Sequence, residues 1–449
     1  MPIIQKFLLS LDKSFASAAD LFDFSRGRLP PGTLTTAFWP SIVRTLMPQF
    51  KKGVVGITGT NGKHTTCRIL SEIFHQADAL TLYSYDLPPS SDKIISTLVR
   101  STNQRGMFKA DYGVFGIDIP DLEKSIKLYS PHTVILNNLY DDYFHRVEEP
   151  NKIKDKCFEE MTAGENILVN SDDPILCGEL PSSILPHLTY FGVEDIKLNL
   201  ENSPKPDISC PRCNTRLNYQ SHCLAHLGDY NCQNCGWERP LPTIYAINVS
   251  LKSDGSYFRL ITPRGPLDVS LRLSGLHNVY NAVAASAAAF SLGIEPSIIR
   301  KGLETANPLG GRDERIVIHG REARLMTIKN RTSLQETIRT CLLDPRRGHY
   351  LFLLDETIKY GGNGPWIQDD DLSNIRGRSR SIHLAGAGSM HLTPMDEQRD
   401  SDELDLEGDA SDVFHNIMRQ LPSGDQLWVL ATEDLMFSVR QELKDMNIL

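Results

Sequence analysis

Between residues 53 and 192, short apolar runs alternate with stretches whose apolar residues recur at helical spacing. Val54–Thr58, Thr81–Ser84, Tyr112–Asp118, Thr133–Asn137, Asn166–Asn170 and Leu188–Phe191 are brief and mostly aliphatic or aromatic, which predicts strands. After the first of these, Cys67, Ile69, Leu70 and Ile73 fall three and four residues apart, the spacing of a helix with one buried face. Repeated strand–helix alternation implies a parallel sheet with helices on both faces, and ligands then sit at the carboxyl ends of the strands. Further on, Ile244–Leu251 and Ser256–Thr262 alternate as hairpin strands do, and Ala282–Leu292 is an alanine-rich packing helix. A second open α/β layer is predicted from Ala323–Lys329, Tyr350–Asp355, Ser381–Ala385 and Gln426–Ala431, with helices near 333–342, 411–420 and 433–445.

These patterns divide the chain into three. Residues 1–50 form an amphipathic, then turn-rich lead-in, broken by Ser25-Arg26-Gly27-Arg28-Leu29-Pro30-Pro31-Gly32. Residues 51–310 form the first α/β domain, with an insert at about 205–242, and 311–449 form the second. Pro308-Leu309-Gly310-Gly311-Arg312 is expected to be a flexible hinge between them. The acidic, low-complexity stretch at 395–412 is expected to be a solvated loop or a disordered insert.

Composition narrows the function. The 449 residues are 40% hydrophobic and 23% charged, ordinary for a globular protein of several domains, and the net charge of −9 argues against binding nucleic acid by general phosphate attraction. Any anion site must be local. Phe7-Leu8-Leu9 is too short for a signal-peptide core and no apolar run approaches membrane-spanning length, so a cytoplasmic location is expected. Four of nine cysteines fall in two CxxC pairs, which favours a metal site over a disulfide scaffold.

That local anion site is predicted at Gly59-Thr60-Asn61-Gly62-Lys63, between the first strand and its helix. Glycines let backbone N–H groups curl around a phosphate, the helix N-terminus adds partial positive charge, and Lys63 supplies a full one. The strict P-loop pattern wants glycine five before Gly62, where Ile57 stands. The variant present resembles the loop of the Mur ligase and folylpolyglutamate synthase superfamily, GTNGK followed by two Ser or Thr residues.

The insert carries Cys210-Pro211-Arg212-Cys213, then eighteen residues, then Cys232-Gln233-Asn234-Cys235. Two such knuckles complete a closed tetrahedron of thiolates, predicting a structural zinc ribbon on Cys210, Cys213, Cys232 and Cys235. His222, Cys223 and His226 lie between the knuckles and are read as bystanders, with substitution of one of them as a ligand the alternative. Gly275-Leu276-His277-Asn278-Val279-Tyr280-Asn281 before the alanine-rich helix resembles the superfamily's GxHNxxN pattern. The loop, the ribbon, this pattern, Ile328-Lys329-Asn330 (resembling LxKNP) and Trp366-Ile367-Gln368-Asp369 (resembling DxSWxWD) together resemble the MurT branch of the superfamily, from about Ser25 to the C-terminus.

The resemblance implies an α/β fold: a Mur-ligase-like central parallel sheet with a P-loop, an inserted four-cysteine zinc ribbon and a C-terminal Rossmann-like domain. It implies ATP contacts from Gly59, Thr60, Asn61, Gly62, Lys63, Thr65, Asn281 and Arg312, with magnesium near Asp118. It implies ATP-dependent amidation of the D-glutamate α-carboxylate of the lipid II stem peptide, with ammonia from a GatD-type glutaminase whose triad Asp369 completes. Asp370 and Asp371 leave that register open by one or two residues.

There are departures. His64 stands where the family has a magnesium-binding Ser or Thr, Gly116 where it has a glutamate, Arg331 where it has the proline of KNP, and Pro365 where it has the serine of SWxWD. Thr65, Asp118, Asp141 and Asp142 are the oxygen donors left to compensate. Two rivals therefore stand beside the amidotransferase: another Mur-type or folylpolyglutamate-synthase-like amino-acid ligase, and a catalytically weakened scaffold copy that retains partner binding.

Overall fold

The fold is described from a computed structural model. The structure describes residues 42–83, 91–103, 105–140, 158, 161, 166–198, 200, 206–355, 369–386, 403–406 and 409–449. Most of the lead-in, Asp141, Asp142, Pro365 to Gln368 and most of the acidic stretch lie outside the described residues.

The chain opens with α1 (Ile42–Leu46), then β1 (Gly53–Thr58), α2 (Lys63–Gln76), β2 (Thr81–Tyr83), α3 (Ser91–Ser101), β3 (Tyr112–Gly116), α4 (Leu122–Tyr129) and β4 (Thr133–Leu136). It continues through β5 (Asn166–Asn170), β6 (Leu188–Val193), β7 (Asn218–Leu224), β8 (Leu227–Asn231), β9 (Ile244–Lys252), β10 (Gly255–Thr262), β11 (Gly265–Leu271), α5 (Leu276–Ser291) and α6 (Pro296–Thr305). The last part holds β12 (Arg312–Ile318), β13 (Arg321–Thr327), α7 (Arg331–Leu342), β14 (Gly348–Leu353), α8 (Asp369–Arg376), β15 (Ser379–Ala385), β16 (Glu403–Leu406), α9 (Ala410–Gln420), β17 (Gln426–Ala431) and α10 (Glu433–Asp445).

Nine strands form one sheet in the order β11-β10-β9-β6-β5-β4-β1-β3-β2. It is parallel from β2 to β9 and ends in the antiparallel ribbon β9-β10-β11. All six β1 residues are buried, and β1 lies between β3 and β4, so the loop after it opens where the strand order reverses. Helices cover both faces, as the alternation requires. On one, Val55 and Ile57 pack with Ile69 and Ile73 of α2, Val279 of α5 and Leu303 of α6. On the other, Val54, Phe115 and Val134 pack with Ile42, Leu98 and Ile126. The alanines of α5 are fully buried and let it lie close to its neighbours, and at Gly302 a Cβ would come within 2.5 Å of the Ile73 backbone.

The second sheet has the order β12-β13-β17-β14-β15-β16, parallel except for the β12–β13 hairpin. A fully buried cation joins the two sheets. Arg324 of β13 pairs with Asp313, donates to Ser274 Oγ at 2.8 Å just before α5, and lies 4.6 Å from the Trp428 ring centroid.

Several expectations need correction. The sheet edge carries a third antiparallel strand, β11, that alternation alone did not single out, and β3 ends at Gly116, leaving Asp118 beyond the strand. The glycine-rich segment at 308–312 is tied rather than flexible: Gly311 N donates to Glu314 Oε2 at 2.6 Å, the same carboxylate that Arg440 holds at 2.6 Å, and Arg312 already belongs to β12. Within the acidic stretch, Glu403–Leu406 pairs in parallel with β15. Backbone pairing at a sheet edge does not require apolar side chains.

Candidate nucleotide-binding site

The loop after β1 is shaped by its glycines. Gly59 and Gly62 take φ of 142° and 88°, the left-handed region, and Gly62 caps α2 with no side-chain hydrogen bond to the helix N-terminus. A Cβ at Gly62 would lie 2.1 Å from Asn281 Oδ1. The neighbouring strand end braces the loop: Thr60 N donates to Asn138 O and Asn61 N to Asn138 Oδ1, both at 2.9 Å. Asn137 Nδ2 reaches Thr66 Oγ1 at 3.0 Å, and Thr66 reaches Asn281 Oδ1 at 3.3 Å. Asn281, predicted from GxHNxxN, thus stands against the loop, more than two hundred residues away in sequence.

Lys63 is buried, its Nζ donating to Gly59 O at 2.6 Å and lying 3.1 Å from Asp118 Oδ1. Across from it the second sheet contributes further cations. Arg312 Nη2 is 3.2 Å from His64 Nδ1 and 3.6 Å from Glu433 Oε1, and Lys329 pairs with the same Glu433. Burial, reinforced by Arg312, depresses Lys329 to about 8, while Glu433 opposes the shift. Burial pushes the Glu433 carboxyl up, but Lys329 and Arg312 outweigh it and hold it below its usual range. An arginine only donates, so His64 Nδ1 must accept and its proton sits on Nε2. Asn61 and Asn330 exchange side-chain amide hydrogen bonds at 3.3 and 3.4 Å, joining the loop to the capping residue of α7.

The cleft between the sheets encloses about 1040 Å³ with its mouth. It is lined by Thr60 to Thr65, Asn281 and Arg312, so the predicted contacts in these ranges meet in one place. Lys329, Glu433 and Glu336 went unassigned at the sequence level. Lys329 had a signal in Ile328-Lys329-Asn330; Glu433, opening the last helix, had none.

The uncapped helix N-terminus, glycine loop and buried Lys63 fit a nucleotide polyphosphate. For magnesium, two oxygen donors among the described residues are the Asp118 carboxylate, 30% exposed and beside Lys63, and the Thr65 hydroxyl on the cleft wall. Two oxygens suit a small hard cation that keeps most of its waters. At Gly116 a Cβ would meet Lys63 Cβ at 3.6 Å, Cys67 Sγ at 3.9 Å and His64 Cδ2 at 4.0 Å, ordinary contact distances beside the loop.

The four cysteines converge. Their sulfurs lie within 4.8 Å of one another, with Cys210–Cys235 at 3.7 Å and Cys213–Cys232 at 3.4 Å. Zinc–sulfur bonds of about 2.3 Å in a tetrahedron put sulfurs roughly 3.8 Å apart, so the set fits zinc. Cys223 and His226 are at the far end of the β7–β8 hairpin, where Cys223 Sγ is 3.3 Å from Tyr280 Oη and His226 Nε2 is 3.1 Å from Asp173. They take no part in the cluster. Asp369 begins α8, with Asp370 and Asp371 in its first turn.

Residues 57–235 match the Mur ligase middle domain. The chain is 28% identical to the lipid II isoglutaminyl synthase (glutamine-hydrolyzing) subunit MurT of Streptococcus pneumoniae (strain ATCC BAA-255 / R6) over 359 residues, covering 78% of this chain and 77% of the relative. It is 23% identical to the subunit of that name from Staphylococcus aureus (strain COL), covering 78% of each. In fold it is similar to a pseudomurein peptide ligase type C from Methanothermus fervidus, with a TM-score of 0.65, 23% identity, and coverage of 88% of this chain and 79% of the other. Among the described residues no helix is long and apolar enough to cross a membrane. With the loop, the cysteine ribbon and the second α/β sheet in the order that the motifs required, residues 57–235 carry a Mur ligase middle domain and the chain is similar to MurT subunits over most of its length.

Proposed function

We propose that this chain is an ATP-dependent amide-forming ligase, the synthetase subunit of a glutamine-dependent amidotransferase that converts the D-glutamate α-carboxylate of the lipid II stem peptide to the amide. The observation that carries this reading is the cationic cleft: Lys63 on the loop wall and Arg312 and Lys329 on the facing wall surround a space suited to polyphosphate. The likeness to MurT subunits over most of the chain supports the substrate and the partner, a GatD-type glutaminase.

In the proposed reaction, a carboxylate oxygen attacks the γ-phosphorus of ATP and ADP leaves. Ammonia then attacks the acyl carbon, phosphate leaves with the carboxylate oxygen, and the surplus proton passes to solvent. The protein's part is positioning and neutralisation of charge. Loop N–H groups and Lys63 hold the phosphates, Gly59, Thr60, Asn61 and Gly62 shape the cradle, and Asn281 braces it. Arg312 approaches from the second sheet and keeps His64 as an Nε2–H donor. Magnesium, held through Asp118 and Thr65, would supply charge neutralisation on the phosphate oxygens. Zinc on the four cysteines would hold the ribbon and do no chemistry. Asp369 is assigned to the partner's Cys-His pair, orienting the histidine.

His64 and Gly116 favour one second reading, a scaffold with weakened catalysis. Co-expression with the glutaminase, followed by glutamine-dependent ADP release with lipid II and magnesium, separates the two. Turnover that disappears in Lys63→Ala, with glutamine hydrolysis lost in Asp369→Asn, is the expected result. A stable complex with no ADP release sinks the ligase and leaves the scaffold.

A further inference from the structure

The β7–β8 hairpin reaches from the four cysteines to the nucleotide loop, and buried rings run along it. At the metal end, Cys232 N donates to Trp237 O at 2.7 Å, and the Trp237 ring packs on Tyr230 with centroids 5.2 Å apart. Tyr230 pairs with Tyr219 across the two strands, ring centroids 6.0 Å apart, and Tyr219 Oη donates to His226 O at 2.8 Å near the tip. Trp237, Tyr230, Tyr219 and His226 are all buried. Tyr230 Oη also donates to Ser171 O at 3.0 Å, which fixes the row of rings to the central sheet.

At the tip, His226 meets the segment that braces the loop. Its ring stands edge-on to Tyr140, centroids 5.7 Å apart at 74°, and its Nε2 lies 3.1 Å from Asp173 Oδ1. Asp173 Oδ2 accepts from Leu139 N at 2.7 Å, and Tyr140 N donates to Thr60 Oγ1 at 3.0 Å. These two residues follow Asn138, whose backbone and side-chain oxygens hold Thr60 N and Asn61 N. His226 therefore touches Tyr140 directly and, through Asp173, fixes Leu139. A ribbon that only held itself together would not need a buried histidine at the end remote from its metal. Packed interiors pass a displacement on to their neighbours, so a hairpin released at its base no longer fixes this segment.

We propose that His226 is a positioning residue for the phosphate loop and that the row of rings couples it to the metal end, so that zinc on Cys210, Cys213, Cys232 and Cys235 strengthens nucleotide binding. This rests on the nucleotide reading of the glycine loop and on zinc as the metal of the ribbon. Coupling between two binding sites is reciprocal, so bound nucleotide tightens zinc by the same factor.

Calorimetric titration of ATP with excess magnesium into the full chain, zinc-loaded and after treatment with a zinc-selective chelator, reads the coupling from one side. Competition of the same chelator for zinc, with and without saturating magnesium ATP, reads it from the other. The expected result is ATP bound about tenfold tighter by the zinc-loaded chain, and zinc held about tenfold tighter in the presence of ATP. His226→Ala should still take up zinc and ATP but lower both factors to about twofold or less, and Tyr219→Phe, which keeps the ring and loses only the hydroxyl's hydrogen bond, should lower them part of the way. ATP affinity indifferent to zinc overturns the proposal, as do native factors that survive in both variants. If His226→Ala does not fold, Tyr219→Phe carries the test, and factors equal to the native ones overturn it. Loss of the whole fold on zinc removal, read by far-UV circular dichroism, also overturns it, because the coupling would then belong to folding and not to His226. ATP binding that ignores zinc refutes this inference alone; no ATP binding by the zinc-loaded chain refutes the reading of the loop as well.

Discussion

Asp172 gives the sharpest test of how the ribbon is joined to the central sheet. The side chain is fully buried just after β5 and accepts from five donors: Arg239 Nε at 2.9 Å and Nη2 at 2.6 Å, Tyr280 Oη at 2.6 Å, Ser171 Oγ at 3.0 Å and Val193 N at 2.9 Å. Arg239, after the second knuckle, is itself only 7% exposed and has one other carboxylate partner, Glu194 at 2.5 Å, which is 38% exposed. Asp172→Ala removes the buried partner and leaves the guanidinium only the half-exposed Glu194, for which a loss of about 3 kcal/mol is expected. Glu194→Ala removes the partner that water already screens, for which about 1 kcal/mol or less is expected. With a urea slope of about 3 kcal/mol/M, the first substitution should lower the unfolding midpoint by about 1 M and the second by a few tenths. Far-UV circular dichroism in urea, with zinc held constant, gives both midpoints. Equal shifts would refute the reasoning, because they would mean that burial does not set the strength of this network.

Three further outcomes follow from the site. Lys329 titrates at about 8 in the free protein because burial and Arg312 disfavour its charge, and bound phosphate favours the charged form. Nucleotide affinity should therefore hold below pH 8 and fall as pH rises through it, while Lys329→Arg, beside the same Arg312 and Glu433, should flatten the profile; a native profile flat to pH 9 would count against the assignment. Gly62→Ala forces a side chain into φ of 88° and into Asn281, so at least about 2 kcal/mol of stability and most nucleotide binding should be lost in thermal melts and calorimetry. Zinc should be found at one ion per chain, and its removal by chelation, or Cys213→Ser, should expose the β7–β8 hairpin to protease; an unchanged cleavage pattern without metal would argue against a zinc-held ribbon.

How much was legible in the sequence depended on how local each signal was. The loop, the CxxC pairs and the GxHNxxN segment are each encoded in a few adjacent residues, and the structure brings the loop, Asn281 and Arg312 to one cleft. The parallel strands were legible because both faces of the sheet are covered, which makes them continuous apolar runs. β11, by contrast, has a half-exposed pattern with Pro266 and Asp268, and β16 is Glu403-Leu404-Asp405-Leu406, so neither looks like a core strand. The tied segment at 308–312 was read as a hinge because its glycines are visible in sequence, whereas Arg440, which holds it through Glu314, comes from the last helix. Glu433 and Glu336 were missed for the same reason. A carboxylate's significance lies in the cations and the cleft it meets, and those come together only in three dimensions.

The proposed reaction forms an amide on a stem-peptide carboxylate at the expense of ATP. Mass spectrometry of lipid II stem peptides, after incubation with the chain, magnesium, ATP and either free ammonia or glutamine plus the glutaminase, tests it most directly. The D-glutamate α-carboxylate is expected to become a carboxamide in both reactions, with no conversion by Lys63→Ala. An unmodified stem peptide under both nitrogen sources, from protein that binds ATP and retains its zinc, would contradict it.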